Sequence, residues 1–265
     1  MNKILLTGST GFIGKEIYKE LIKNNYKIDL HNRNQNSAKY SFDILKKVND
    51  DFGKDADIVI HCAWENVKDV YNESHAAFAK ASFNLISTAI NNGVKNIIVV
   101  GSCFEYGKVY GPISASTKTI PNTPYSIAKD TLRSNLLELK SKIQFNLLWI
   151  RPFYVFEKDL RDNTFIGQLN NAIDNEQPDF KMSLGEQLLD FISSQEVAQK
   201  LVQAVNKKIL NGTYNLGSAK PKSLRRFAEE LILERKANIN LLLGSYKLRD
   251  YESEAFWASN DETNL

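Results

Sequence analysis

The chain has 265 residues, 43% hydrophobic and 25% charged, with a formal net charge of +3. Such a composition suits a globular protein with a sizeable core and excludes a low-complexity or fibrous chain. The charge is too small, and the Lys and Arg too dispersed, to argue for a nucleic-acid partner or a membrane surface.

Short apolar runs alternate with longer segments of helical period. Residues 3–7 predict a strand, and residues 12–23 a helix with Ile13, Ile17, Leu21 and Ile22 on one face. Residues 27–31 predict a second strand. Residues 57–62 and 96–100 are nearly all apolar, as in strands buried on both faces. Helices are expected over 70–92 and 125–140, and a strand over 145–150. Beyond Arg151 the pattern loosens, with helices near 163–173, 195–205 and 223–233 and a strand near 212–215. The alternation predicts a doubly wound α/β fold, a parallel sheet covered on both faces. Residues 1–152 form the expected nucleotide-binding domain. Residues 153–265 form a smaller substrate lobe interleaved with it, because no flexible linker separates the two.

Cys62 and Cys103 are too few for a disulfide framework, which points to a reducing compartment. The three histidines, His31, His61 and His75, lack the spacing of a zinc site, so no metal is expected. The apolar start is too short for a signal peptide and no stretch is long enough to span a bilayer. A cytoplasmic protein is the expectation.

Residues 7–14 read Thr-Gly-Ser-Thr-Gly-Phe-Ile-Gly, a GxxGxxG turn between the first strand and the first helix. Gly8 permits the tight turn, Gly11 the approach of a pyrophosphate, and Gly14 the close packing of helix on strand. Thr10, Phe12 and Ile13 complete the turn, and the helix N-terminus offers unpaired N–H groups to an anion. In NAD-binding folds the second strand ends in a carboxylate that holds the ribose. That position is Asn32 here, and Arg33 follows. A guanidinium with no competing carboxylate can pair with a 2′-phosphate, so NADP(H) is favoured while NAD(H) stays open. Asp29 lies earlier in the strand and is expected to face solvent.

Residues 125–129 read Tyr-Ser-Ile-Ala-Lys, which puts phenol and ammonium one helical turn apart. The positive charge is expected to lower the Tyr125 pKa, making it a proton donor or acceptor near neutral pH. With 11 tyrosines in the chain the spacing arises by chance about once, and Tyr154 with Lys158 is read as that case. Ser102 leaves the C-terminal end of the strand over 96–100, where ligands bind in this architecture.

With Asp43-Ile44, His61-Cys62-Ala63, Tyr106-Gly107, Pro124-Tyr125, Arg151-Pro152-Phe153 and Tyr214-Asn215-Leu216-Gly217, the chain resembles the extended short-chain dehydrogenase/reductase family. The likeness is greatest to its nucleotide-sugar epimerases, dehydratases and 4-reductases. The resemblance implies Ser102, Tyr125 and Lys129 as the catalytic set, Lys129 also reaching the nicotinamide ribose. Asp43 and Ile44 would flank the adenine and Ala63 would line the cofactor channel. Phe104, Phe153 and Arg249 would belong to the substrate side, Arg249 pairing with a diphosphate. The chain departs from the pattern at Leu188-Leu189-Asp190-Phe191, where Arg commonly precedes Asp-Phe. It departs again at Tyr154, commonly Asn, and at Phe156-Glu157, commonly Tyr-Gly.

Dehydration is disfavoured because Cys103 and Phe104, not Asp-Glu, follow Ser102. Epimerisation by a Cys/His pair is disfavoured because Phe104 occupies the Cys position and no His follows His75. The reading that remains is NADPH-dependent reduction of a nucleotide-linked 4-keto-6-deoxy sugar, a step in surface-polysaccharide precursor synthesis. An NAD-dependent 4-epimerase and a non-catalytic dinucleotide-binding sensor are the alternatives. Family members often pair through the helices over 70–92 and 125–140; the Ala-rich run from His75 to Ala81 allows such close helix packing, as it also suits an internal core, and a homodimer is the expectation.

Overall fold

The computed structural model describes residues 2–33, 38–261 and 265. The first half of the chain runs β1 (Lys3–Thr7), α1 (Gly14–Lys23), β2 (Lys27–Asn32), β3 (Tyr40–Ser41), β4 (Ile58–His61), α2 (Ser74–Asn91), β5 (Asn96–Val100), β6 (Gly111–Ile113), α3 (Pro124–Lys142) and β7 (Asn146–Pro152). The second half runs β8 (Tyr154–Phe156), α4 (Phe165–Asp174), β9 (Asp179–Lys181), β10 (Leu188–Leu189), β11 (Phe191–Ser193), α5 (Ser194–Asn206), β12 (Gly212–Leu216), β13 (Lys222–Ser223), α6 (Leu224–Glu234), β14 (Asn240–Leu242) and β15 (Ala255–Ala258).

Seven strands form one parallel sheet in the order β12-β7-β5-β4-β1-β2-β3. Its alternating side chains divide between two cores. Leu5, Val59, Ile97, Val99 and Trp149 pack against α2 and α3, while Ile4, Leu6, Ile60, Ile98 and Ile150 pack against α1 and α5. The fold is therefore the Rossmann-like doubly wound sheet that the alternation predicts. After β1 the chain builds outward through β2 and β3, then returns to the other side of β1 with β4. A crevice opens at the C-terminal ends of β1 and β4 where this order reverses, and ligands bind at such points in open α/β sheets.

β12 and α5 come from the second half of the chain, yet they complete the first sheet and cover it. The rest of that half is built from short pairings, one of which recruits β6 from the first half: β13-β10-β15-β6, β11 with β8, and β14 with β9. None of these strands exceeds four residues, too short for a period-of-two signal. Their side chains close two smaller cores, one around Leu169, Phe180, Phe227 and Leu231 and one around Tyr106, Phe153 and Phe256. The first two helices start slightly later than the periodicity predicts, because residues 8–13 are taken by the turn and residues 70–73 by the approach to α2.

Gly14 is the first residue of α1, and a Cβ there would lie 2.0 Å from the Gly8 carbonyl oxygen. Gly14→Ala is expected to lower the unfolding free energy by about 1–3 kcal/mol through overpacking against rigid backbone. Urea denaturation measures this, and an unchanged midpoint would refute it.

Candidate active site

The glycine turn lies in the crevice. Gly8 has φ +72°, and a Cβ there would come within 2.6 Å of the Ala63 backbone nitrogen at the end of β4. Ala63 N–H in turn donates to Thr7 Oγ1 at 3.3 Å, so the two strand ends are locked together. A Cβ at Gly11 would approach the Gly8 carbonyl to 3.2 Å. No side chain caps the N-terminus of α1. Thr10 and Gly11 are exposed, with Phe12 and Ile13 half-buried beside them, so bare backbone N–H groups and the positive end of a helix dipole face the crevice. These residues fit a dinucleotide pyrophosphate.

Ser9 Oγ donates to Asn32 Oδ1 at 3.1 Å, which fixes the end of β2 against the turn. Arg33 forms an ion pair with Glu65, in the segment that follows β4. The guanidinium expected to meet a 2′-phosphate thus already has a carboxylate partner. Asp29 does not face solvent freely, as Lys3 (3.1 Å) and Lys39 (2.9 Å) hold it in a double ion pair. Asp43 Oδ1 accepts from Leu45 N–H at 3.0 Å, and Ile44 is buried in the core beside α2.

Ser102 ends the extended stretch after β5 and caps a one-turn 3₁₀ segment, Cys103–Tyr106. Its Oγ accepts from Phe104 N–H at 3.2 Å, and Glu105 Oε1 accepts from Ser102 N–H at 2.8 Å. The Glu105 side chain is fully buried. Trp149 Nε1 donates to both its oxygens (3.1 and 3.0 Å) and Arg151 Nε to Oε2 at 2.7 Å. Every group that meets this carboxylate is a donor, which requires it to be ionised.

Tyr125 lies in the first turn of α3. Pro124 starts that helix, and Thr123 and Ser126 cap it reciprocally. The phenol ring is enclosed by Trp64 (6.2 Å between centroids), His75 (5.2 Å) and Phe104 (6.5 Å). Burial raises its pKa well above the usual tyrosine value, against the pull of the Ser102 hydroxyl beside it. This reverses the expected lowering by Lys129. Lys129 Nζ donates to the Val100 carbonyl at 2.8 Å and lies 3.8 Å over the Trp64 ring, but 6.0 Å from the Tyr125 ring centroid. Burial pushes Lys129 down to about 7, opposed by the Glu105 carboxylate. With the ammonium turned to a carbonyl and an indole, desolvation decides the state of the phenol.

The structure thus brings Ser102, Tyr125 and Lys129 together with Phe104. Phe153 is 3% exposed and packs with Tyr106 and Phe256 in a core against which Phe104 also rests. Tyr154 and Lys158 diverge, Lys158 pairing with Glu234 on the surface while Tyr154 turns inward. Arg249 donates to Tyr251 Oη at 3.1 Å and Glu252 Oε1 at 3.4 Å, and Tyr251 rests on Phe104 at 5.9 Å.

Among the described residues no helix is long and apolar enough to cross a membrane, and no group of three or more His, Cys, Asp or Glu is arranged to hold a metal ion.

A family model matches residues 4–217, which span the glycine turn, Ser102, Tyr125, Lys129 and β12. The chain belongs to the NAD dependent epimerase/dehydratase family. Among curated proteins it is similar to a dTDP-6-deoxy-L-talose 4-dehydrogenase (NAD(+)) of Aggregatibacter actinomycetemcomitans, with 30% identity over 97% of this chain and 99% of that one. Among solved structures it is similar to the UDP-N-acetylglucosamine 4-epimerase of Methanobrevibacter ruminantium M1 in complex with UDP-N-acetylmuramic acid, at 23% identity. The TM-score there is 0.84, over 97% of this chain and 89% of the other. It is also similar to RMD from Pseudomonas aeruginosa complexed with NADPH, with a TM-score of 0.81 and 19% identity over 98% and 90% of the two chains.

Three neighbours of the site in this family member escape sequence reasoning. Trp64 forms the wall between Lys129 and His75, donating from Nε1 to His75 Nδ1 at 3.1 Å. His75 is fully buried, and its Nε2 lies 2.9 Å from the Asp69 carbonyl, which can only accept, so Nε2 carries the proton. The aromatic residue straight after His-Cys-Ala was the available signal for Trp64. Glu105 carried only the weaker signal of a capping box with Ser102.

Glu105→Gln removes the charge that Arg151 is buried against, and is expected to destabilise the fold by about 3 kcal/mol. Chemical denaturation measures it, and a loss below about 1 kcal/mol would show that the pair is not the anchor.

Proposed function

We propose that the protein is an NAD(P)(H)-dependent oxidoreductase acting at C4 of a nucleotide-linked 6-deoxy sugar, working as a 4-ketoreductase. The observation that carries this reading is the meeting of Ser102 and Tyr125 beside Lys129 at the mouth of an uncapped glycine turn. When bound, the dinucleotide supplies the hydride that adds to the ketone carbon, or takes it back in the reverse direction. Ser102 Oγ orients the ketone oxygen. Tyr125 gives that oxygen its proton, converting C=O plus hydride plus proton to the alcohol. A phenol whose pKa burial raises stays protonated at neutral pH, the state a donor needs. Lys129, poised at about 7, exchanges protons in the same range and holds the nicotinamide ribose.

Other chemistries of the family fit the residues less well. The Cys103 thiol is buried and its pKa raised, so it is a poor acid–base group for epimerisation by proton abstraction. The carboxylate closest to Ser102 in sequence, Glu105, is fully committed to its donors and is not free to act as a dehydratase base. The curated relative's name describes oxidation with NAD(+), which is the same hydride transfer written in reverse.

Tyr125→Phe is expected to lower turnover by about 10²- to 10⁴-fold while leaving dinucleotide affinity unchanged. The assay follows dinucleotide absorbance with dTDP-6-deoxy-L-talose as the starting probe, and NMR identifies the product. Unchanged turnover would remove the proton-donor role, and appearance of the C4 epimer without net redox would replace the reductase by a 4-epimerase.

Arg33 and Asn32 support NADP(H), but the Arg33–Glu65 pair must open to receive a 2′-phosphate, whereas NAD(H) leaves it closed. Both cofactors are therefore expected to work. Glu65→Gln frees Arg33, and the ratio of kcat/KM for NADP to that for NAD is expected to rise about ten-fold. A ratio that stays constant would detach Arg33 from cofactor choice.

A further inference from the structure

The hydroxyl oxygen of Tyr154 is buried and has no hydrogen-bond partner. Leaving such a group unsatisfied costs about 1–3 kcal/mol, and a phenylalanine would make the same ring contacts without that cost. The ring packs edge-on against Phe104 at 5.9 Å and Phe256 at 5.8 Å, and against Phe191 at 6.1 Å. Phe104 also meets Tyr125, so one aromatic ring separates this phenol from the proposed proton donor.

Cys103, Glu252, Tyr251 and Arg249 are the titratable groups within electrostatic reach of the Tyr154 hydroxyl. Three of them are already engaged with one another or with Gln187: Arg249 donates to Tyr251 and Glu252, and Gln187 Nε2 donates to Glu252 Oε2 at 3.3 Å. Cys103 is buried in the neighbouring aromatic core. The result is a cluster of aromatic rings around one idle donor, with one partly engaged carboxylate nearby. That is the chemistry of a sugar site, where rings pack against C–H faces and a few placed polar groups read the hydroxyls at the edge.

We propose that the Tyr154 hydroxyl determines sugar specificity, donating to a ring oxygen or hydroxyl of the substrate on the side of Phe104 away from Tyr125, with Glu252 as the acceptor beside it. The assignment rests on the nucleotide-sugar reading and adds to it the residue that distinguishes one sugar from another. Tyr154 takes the place where the family resemblance leads one to expect Asn. The longer side chain carries its polar atom past the backbone turn and into the aromatic wall.

Tyr154→Phe tests this, because it removes one oxygen and keeps the ring. Calorimetry with NADH present, which prevents oxidation of the sugar, compares the affinities of free dTDP and dTDP-6-deoxy-L-talose. The variant is expected to bind the sugar nucleotide about ten-fold or more weakly. Its affinities for dTDP and NADH should match those of the parent, and its melting temperature should rise or stay level, because the ring contacts are kept and an unsatisfied hydroxyl is removed. Equal sugar-nucleotide affinity in the two proteins overturns the assignment while leaving the C4 redox reading intact, and equal weakening for dTDP also overturns it, since the sugar is then not what Tyr154 reads. If the parent binds the sugar nucleotide more tightly than dTDP, the variant loses that difference and neither oxidises C4, Tyr154 stands and the redox reading falls. If the sugar adds no affinity in the parent, both fall.

Discussion

The candidate site depends on a single buried carboxylate. Glu105 sits at the bottom of the sheet-to-turn junction, where its oxygens collect the Ser102 backbone N–H, the Trp149 indole and the Arg151 guanidinium. A charge buried in this way is tolerable only when paired and fully hydrogen-bonded, so it dictates its surroundings. The backbone of Gly101 must pass flush against it, since a Cβ there would come within 2.4 Å of Glu105 Oε1 and of Trp149 Nε1. The turn that presents Ser102 is thereby tied to β7 as well as to β5, and the serine hydroxyl is positioned by the ion pair behind it.

The same economy of atoms governs the other side of the cleft. Lys129 leaves α3 and ends on the carbonyl of Val100, just before Gly101 and Ser102, with the Trp64 indole under its charge. Trp64 is held by His75, and His75 by a carbonyl of the loop that leads to α2. Strand β5, helix α3 and the loop after β4 therefore meet around one ammonium. Desolvation there is strong enough to lower the lysine and raise the tyrosine together. An apolar, closed environment sets both proton affinities more firmly than the attraction between the two groups does.

Much of this was legible in the amino-acid order. Among the described residues, periodicity located all six helices and six of the seven strands of the large sheet within a few residues; the central strands carry a long buried face, as Ile4 to Leu6, Ile58 to Ile60 and Ile97 to Val100 are apolar throughout. The glycine turn and the Tyr125 helix were legible because their spacings carry a steric or geometric necessity. The Tyr125 pKa was misjudged, as it depends on what packs alongside. Phe153 falls in the break between β7 and β8, and both it and Tyr154 meet Phe256 of β15, a strand of four residues that carries no pattern of its own.

Sequence alone determined the parallel sheet, the glycine turn and the placing of Tyr125 and Lys129 one helical turn apart, because local propensity and residue spacing are properties of neighbouring residues; Ser102 joined them through the family resemblance. Tertiary structure alone decided that Glu105 anchors Ser102, that Glu65 engages Arg33 and that the hydroxyl of Tyr154 is left without a partner. Each of these depends on side chains far apart in the chain, Glu105 and Trp149 by 44 positions, Arg33 and Glu65 by 32, Tyr154 and Phe256 by 102, and on how much water their meeting excludes. Long-range proximity and desolvation exist only once the chain has closed on itself.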